Sequence, residues 1–145
     1  MDNIKNLSKA ELSKYNEQLV LDLLQIQGFE ISKVIAGRVR TKYRISQSCD
    51  IKITGYRYNE KVNGNYAYVL KKDFNIDNEK YLFFVLYLEN TPHILKIPSE
   101  VFINPAPNSA FKNRDYIGKK SLPEYGIVIN KNTLKELLHY EEKVL

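Results

Sequence analysis

The sequence has a single cysteine, Cys49, and no tryptophan. One cysteine cannot form a disulfide within the chain, which excludes a disulfide-stabilised scaffold, and a reducing compartment is expected. A catalytic thiol needs a nearby base, and His93 and His139 lie in unrelated parts of the sequence. Cys49 is therefore interpreted as a small core residue and not as a nucleophile.

Long hydrophobic runs and the common catalytic motifs are also absent. The longest apolar run covers residues 81–88, whereas a membrane-spanning helix needs about 20 residues. The six glycines are scattered and form no phosphate-binding loop. The cysteine and histidines do not have the spacing of a zinc site, and no G-x-S-x-G elbow exists. With a polar N-terminus that lacks a signal-peptide pattern, we expect a soluble, cytoplasmic protein with no membrane contact.

The bulk composition indicates one globular domain, residues 1–145. The chain is 43% hydrophobic, which suffices for a packed core. Lys and Arg number 22 against 17 Asp and Glu, a formal net charge of +5. This excess fits a polyanionic partner, but it fits equally a surface that only keeps the protein in solution.

Basic residues recur at alternate positions in one predicted strand, at Arg38, Arg40, Lys42 and Arg44. Alternate side chains of a strand point to opposite faces, so the cations would share one face and a mostly apolar row the other. One interpretation is contact with nucleic-acid phosphates, which gives affinity without sequence readout. The other is an exposed strand whose charges protect a sheet edge from aggregation.

The first helix is predicted over residues 9–27. Ser8 and Glu11 have the spacing of a capping box, and Gly28 is a natural stop. Glu17 falls on a largely apolar flank of this helix, where a carboxylate is costly without a partner. A helical wheel alone favours a Glu17 side chain that lies at the edge of the core and reaches solvent. The alternative is a carboxylate turned toward a functional site.

The rest of the chain alternates short apolar segments with turns. Strands are predicted at residues 29–35, 37–45, 49–54, 66–72, 81–88, 93–97 and 127–129. The core covers about residues 9–103, residues 104–126 are predicted as loop, and residues 127–145 add a strand and a helix that opens with a second capping box, Thr133 to Glu136. Helix, strands, helix is the order of an α/β (mixed α+β) domain with helices packed on a central sheet.

This order of elements resembles the PD-(D/E)XK nuclease superfamily over about residues 15–102. The matching features are a helix that carries Glu17, a strand that starts with Asp50, a later strand that ends in hydrophobic-x-Lys at Lys71, a buried strand, and a strand that ends in IPSEVF. The resemblance implies a restriction-endonuclease-like core: a mixed central sheet with the N-terminal helix packed on it and a C-terminal helix as an addition.

The resemblance also implies a chemistry. Asp50 matches the metal-binding aspartate, Glu17 the helix glutamate that some branches use as an extra metal contact, and Lys71 the motif lysine. The expected function is hydrolysis of DNA phosphodiester bonds by a nuclease that depends on Mg²⁺ or Mn²⁺. DNA is expected rather than RNA, and a homodimer is expected because nucleases of this fold often pair to cut two strands.

The chain departs from this family pattern at Val69. Two residues before its lysine the family has Asp, Glu or sometimes Gln, and valine cannot bind a metal. Glu17 or Asp73 would have to fill the gap. The alternative is a catalytically inactive module on the same fold that binds nucleic acid or another protein.

The strand register decides whether Asp50 and Lys71 can meet. A tight hairpin at Asn63-Gly64 would place Asp50 opposite Asp77, far from Lys71. A wide loop over residues 56–65 would place Asp50 opposite Val69 and close to Lys71. The polar composition of residues 56–65 favours the wide loop.

Two further groups of residues fit a nucleic-acid partner. Four tyrosines could stack on bases or line a groove, namely Tyr56, Tyr58, Tyr66 and Tyr68. A second basic cluster lies in the predicted loop, at Lys112, Arg114, Lys119 and Lys120. An interface with another protein is the remaining interpretation of these residues.

Overall fold

The computed structural model describes residues 6–36, 40–45, 49–115 and 121–143. Its first helix, α1, spans Lys9–Ile26. The Ser8 N–H donates to Glu11 Oε1 at 3.0 Å and the Glu11 N–H donates to Ser8 Oγ at 3.2 Å, so the predicted capping box is confirmed. Gly28 follows at a φ of 88°, the left-handed conformation that a missing Cβ allows.

The described residues after α1 form strands and a short second helix. The strands are β1 Ile31–Ala36, β2 Arg40–Ile45, β3 Asp50–Arg57, β4 Tyr66–Leu70, β5 Glu79–Leu88, β6 Thr91–Pro98, β7 Phe111–Arg114 and β8 Glu124–Val128. Helix α2 spans Leu134–Leu138. The predicted fold class, a mixed central sheet with an N-terminal and a C-terminal helix, is confirmed.

Five strands form the central sheet in the order β1-β2-β3-β5-β6. β1, β2 and β3 are antiparallel neighbours, whereas β3 runs parallel to β5. β5 and β6 are antiparallel and meet at Glu89 and Asn90, both at positive φ as a tight hairpin requires. The predicted pairing of these two strands is confirmed.

The predicted neighbour of β3 was wrong. Both registers considered for Asp50 assumed that β3 pairs with β4, but β5 takes that place, with Asp50 aligned to Glu79. β4 lies in a second sheet of three strands, in the order β4-β8-β7, where Val69 pairs with Tyr125. The parallel β3–β5 pair is non-local, so the spacing of turn residues could not reveal it.

The second sheet also corrects the predicted loop over residues 104–126. β7 and the first part of β8 lie inside that segment and pair with each other. β7 is short, three of its four residues are polar, and Asn113 and Arg114 are exposed. The composition of β7 is therefore typical of a loop, although its backbone is hydrogen-bonded to β8.

The sheets and α1 form three layers with two hydrophobic cores. The core between α1 and the central sheet includes Val20, Leu24, Ile51, Phe83 and Val85. The core between the two sheets includes Val69, Phe84, Leu95, Phe111 and Ile127. β5 contributes alternate residues to both cores, which explains its continuous apolar sequence. None of the described helices is both long and apolar enough to cross a membrane.

A buried polar contact ties α1 to the central sheet. The Tyr87 hydroxyl donates to Asn16 Oδ1, and both residues are buried. The Asn16 amide crosses β3 at Gly55, where a Cβ would collide with it. Burial, with a smaller contribution from Tyr15, raises the pKa of Tyr87 to about 12.

The segment after α2 covers one edge of the central sheet. The Lys96 N–H donates to the Tyr140 carbonyl at 2.9 Å, and the Glu142 N–H donates to the Ile94 carbonyl at 2.8 Å. Leu95 and Glu141 form an isolated antiparallel bridge. The β6 edge is therefore paired over these residues.

The predicted capping box of α2 was wrong. Thr133 makes no side-chain cap hydrogen bond to the helix. Its hydroxyl donates to the Val128 carbonyl at 2.7 Å instead. Glu136 accepts the Ser109 hydroxyl at 2.7 Å and the Ala110 N–H at 2.8 Å, so its carboxylate fixes the chain before β7.

Candidate active site

Asp50 opens β3 and pairs with an arginine of the predicted basic strand. Arg44 on β2 is its register partner. The guanidinium holds both carboxylate oxygens, with Arg44 Nε 2.5 Å from Asp50 Oδ1 and Nη2 3.3 Å from Oδ2. The Asp50 side chain is 14% exposed and that of Arg44 38%. Hydrogen bonding to Asp50, reinforced by its charge, raises the pKa of Arg44.

Lys52 stands two residues after Asp50 on the same strand. Ile51 packs in the core under α1 with Ile53 beside it. Strand alternation therefore places Asp50 and Lys52 together on the opposite face of the sheet. The sequence Asp50-Ile51-Lys52 contains an acidic residue two positions before a lysine. This pair was missed because the lysine was sought on the following strand.

Lys71 belongs to another part of the molecule. It begins a 3₁₀ turn, Lys71–Asp73, that follows β4. Its Nζ lies 2.7 Å from Asp115 Oδ1, also donates to Asn113 Oδ1, and sits 4.9 Å from the centre of the Tyr125 ring. The expected pairing of the two strands, which was to place Asp50 opposite Val69 and close to Lys71, was wrong, because β3 and β4 are in different sheets. Its catalytic role stays a prediction.

Glu17 meets the central sheet from the α1 side. It accepts the Tyr43 hydroxyl at 3.2 Å. Tyr43 is the register partner of Ile51, so both point toward α1. Burial and the neighbouring Glu17 carboxylate raise the pKa of Tyr43. Glu17 and Asp50 therefore lie on opposite faces of the sheet, and the described contacts do not join them.

The basic strand is β2, and it is not an edge strand. It pairs with β1 along Arg40–Ile45 and with β3 at Tyr43 and Arg44. Protection of a sheet edge was therefore the wrong interpretation of these cations. Arg38 lies outside the described residues, as do Lys119 and Lys120 of the second basic cluster.

The four tyrosines predicted to stack on bases lie in two places, with Tyr56 and Tyr58 at the end of β3 and Tyr66 and Tyr68 on β4. The Tyr56 hydroxyl donates to Asn65 Oδ1 at 3.1 Å, and its ring packs against the core between the sheets. Tyr58 lines a cleft of about 560 Å³ at the carboxyl ends of β3 and β5. Tyr66 and Tyr68 lie on β4, and Tyr68 is 58% exposed. Of the four predicted base-stacking residues, Tyr68 has the most accessible ring.

Comparison with known proteins identifies the fold. No protein-family model matches the sequence, and no curated protein matches it. The structure is similar to that of a bacterial homing endonuclease, I-Ssp6803I, with a TM-score of 0.50 and 16% sequence identity. The match covers 93% of this chain and 87% of the endonuclease chain. This protein therefore has the fold of a nuclease, as the order of its elements predicted.

Proposed function

We propose that this protein acts on DNA and hydrolyses its phosphodiester bonds at the face of β3 that carries Asp50 and Lys52. The observation that supports this proposal is the acid and the amine two residues apart at the start of a central strand, on a fold shared with a homing endonuclease. A residue carried on a central strand is held more rigidly than one on a loop, as a catalytic group requires.

The two side chains have complementary roles in this reaction. The Lys52 ammonium is a cation suited to a phosphate oxygen, where negative charge grows in the transition state. Each Asp50 oxygen has a further lone pair beyond its bond to Arg44, with which it can orient an attacking water. Arg44 is partly exposed and can contact a neighbouring phosphate. Arg40 and Lys42 stand at alternate positions of the same strand.

Mg²⁺ or Mn²⁺ is the expected cofactor from the family resemblance, but the described residues do not fit a resident metal. Among them, no three His, Cys, Asp or Glu residues come together as metal ligands. Both Asp50 oxygens are held by Arg44, and Glu17 is on the other face of the sheet. Mg²⁺ prefers several hard oxygen ligands. In the proposed reaction the side chains of β2 and β3 therefore carry the chemistry.

The mismatch favours a second candidate function, DNA binding without cleavage. Arg44 pairs with Asp50, and β2 and β3 carry further basic residues at Arg40, Lys42 and Lys52. Such a surface binds phosphates through counterion release. A nuclease scaffold that has lost its chemistry would retain this property.

Relaxation of supercoiled plasmid, followed on agarose gels with Mg²⁺, Mn²⁺ or EDTA, separates the two functions. We expect Asp50→Asn and Lys52→Met each to slow cutting by about 100-fold or more, because each removes a charged group at the reacting phosphate. Lys71→Met is the matched control, and Glu17→Gln tests the other face. Cutting that survives Asp50→Asn and Lys52→Met but stops with Lys71→Met would move the site to the second sheet.

Two companion measurements complete the test. A gel shift with the same DNA detects binding, so binding without cutting by the wild type supports the second candidate. Light scattering on the purified protein measures its mass. A mass of two chains would support the homodimer that the resemblance implies, and a mass of one chain would contradict it.

A further inference from the structure

The three-stranded sheet has an outer face that turns away from the core. Ala67 and Val69 of β4 are buried between the sheets, so alternation directs Tyr66 and Tyr68 outward. Tyr68 is 58% exposed, among the most exposed of the large apolar side chains in the described part of the chain. An aromatic ring left open to solvent on a sheet is a surface suited to a flat partner.

Tyr66 is fixed in place and supports Tyr68. Its ring crosses Gly126 of the neighbouring strand, where a Cβ would collide with it. Its hydroxyl donates to Glu124 Oε2, and Glu124 is buried. The Tyr66 and Tyr68 rings are stacked, with centres 6.3 Å apart and planes 22° apart. The exposed ring is thus packed beside an anchored one, so little entropy is lost when a partner stacks on it.

Cations lie on the same face as the two rings. The Arg114 guanidinium carbon is 4.6 Å from the centre of the Tyr66 ring. Lys112 is aligned with Gly126 on one side of β8, and Tyr68 is aligned with Gly126 on the other. Its ammonium donates to the Pro107 carbonyl at 2.9 Å, at the margin of the sheet.

We propose that the outer face of the three-stranded sheet binds single-stranded DNA. An unpaired base stacks on Tyr68, and Arg114 and Lys112 contact the flanking phosphates. Aromatic rings that alternate with cations are how proteins bind single strands without sequence preference. A duplex keeps its bases stacked and hydrogen-bonded, so its base faces do not reach a ring on a flat sheet. This choice of ligand rests on the proposed action on DNA.

Fluorescence anisotropy with a labelled oligothymidylate of about 15 nucleotides, in EDTA so that nothing is cut, tests this site. We expect Tyr68→Ala to weaken binding about tenfold, and Tyr68→Phe to bind like the wild type because the ring is kept. Phe29→Ala is the matched control, since Phe29 is also partly exposed and lies beside a lysine, Lys96, on the central sheet. Circular dichroism confirms that each variant is folded.

The cations give a second, independent readout. Binding should weaken with salt, and Arg114→Gln should lower the slope of log affinity against log salt by about 0.7, one phosphate contact to a single strand. An unchanged slope, or equal affinity of the wild type and Tyr68→Ala, would overturn the proposal. Stronger binding of an RNA homopolymer or of a duplex competitor would overturn the choice of single-stranded DNA.

The failure of this site and of the proposed nuclease are distinguishable. Asp50→Asn should retain oligothymidylate binding, and Tyr68→Ala should retain cutting of plasmid duplex. If Asp50→Asn stops cutting but Tyr68→Ala binds oligothymidylate like the wild type, the proposed single-strand site is contradicted and the proposed nuclease site is not. A wild-type dimer that Tyr68→Ala dissociates, with oligonucleotide binding unchanged, would assign the outer face to a second copy of the chain.

Discussion

The two sheets of this protein use their faces differently. The central sheet is covered by α1 on one face and, over β5 and β6, by the three-stranded sheet on the other, so Phe83 and Phe84 of β5 are both fully buried. Among the described residues, the three-stranded sheet packs against the core on its inner face, and its outer face presents Tyr68. We therefore expect stability to be concentrated in the central sheet.

The same contrast holds for the functional groups. At the start of β3, Asp50 and Arg44 satisfy each other and leave little charge unused. On the second sheet, Arg114 lies over the Tyr66 ring, 4.6 Å from its centre. The Arg44–Asp50 ion pair is suited to a reaction centre or to the remnant of an inactive one. The cation beside aromatic rings is suited to binding a polyanion.

The largest effect expected from this contrast is on stability. Phe84→Ala removes a side chain buried between the sheets and should lower the free energy of unfolding by about 3–5 kcal/mol. Tyr68→Ala, on the exposed face, should cost about 1 kcal/mol, the size of its ring–ring contact. Urea unfolding followed by circular dichroism measures both. Equal losses would mean that the outer face is not free.

An intermediate effect is expected at the glycines that side chains cross. Gly126→Ala forces the Tyr66 ring away from β8 and should cost about 2 kcal/mol, as overpacking does. Gly55→Ala is the counterpart in the central sheet, where Asn16 would be displaced. In a Tyr66→Ala background, Gly126→Ala should be nearly neutral by double-mutant cycle. A cost that persists there would place the strain in the backbone.

The smallest effect concerns pH and the buried Tyr87 hydroxyl. Its folded pKa of about 12 lies above the ordinary value of 10.0, so the neutral form is favoured in the folded state. The resulting stability is fully present below pH 10 and is lost as the pH rises through 12. At pH 11 the loss should be about 1 kcal/mol. Tyr87→Phe should remove this part of the alkaline decline, and identical profiles would contradict it.

Local signals in the sequence predicted much of the fold. The capping box of Ser8 and Glu11 and the stop at Gly28 located α1 to within a residue. The continuous apolar run of residues 81–88 identified β5, because a strand buried on both faces needs no polar positions. β7 was missed, since a strand that is short and exposed has the composition of a loop.

The candidate site was harder, because it depends on which strands are neighbours. Asp50 was predicted as a site residue from its place at the start of a strand and from the family resemblance, and its role stays a prediction. Its lysine was assigned to β4 on the assumption that consecutive strands pair, and the insertion of β5 beside β3 broke that assumption. Arg44 and Asp50 lie six residues apart on consecutive antiparallel strands, so their pairing could have been predicted, but the alternation of cations suggested a row of free charges.

Because residues 140–142 pair with β6, the two edges of the central sheet differ in how their backbone groups are bonded. Lys96, Ile94 and their partners in residues 140–142 occupy the hydrogen-bonding groups of that margin. At the other margin, β1 offers its outer backbone groups along Ile31–Ala36, where the described pairing is to β2 alone. A further strand can therefore pair with the central sheet along β1, whereas the backbone of Ile94 and Lys96 at the β6 margin is already paired.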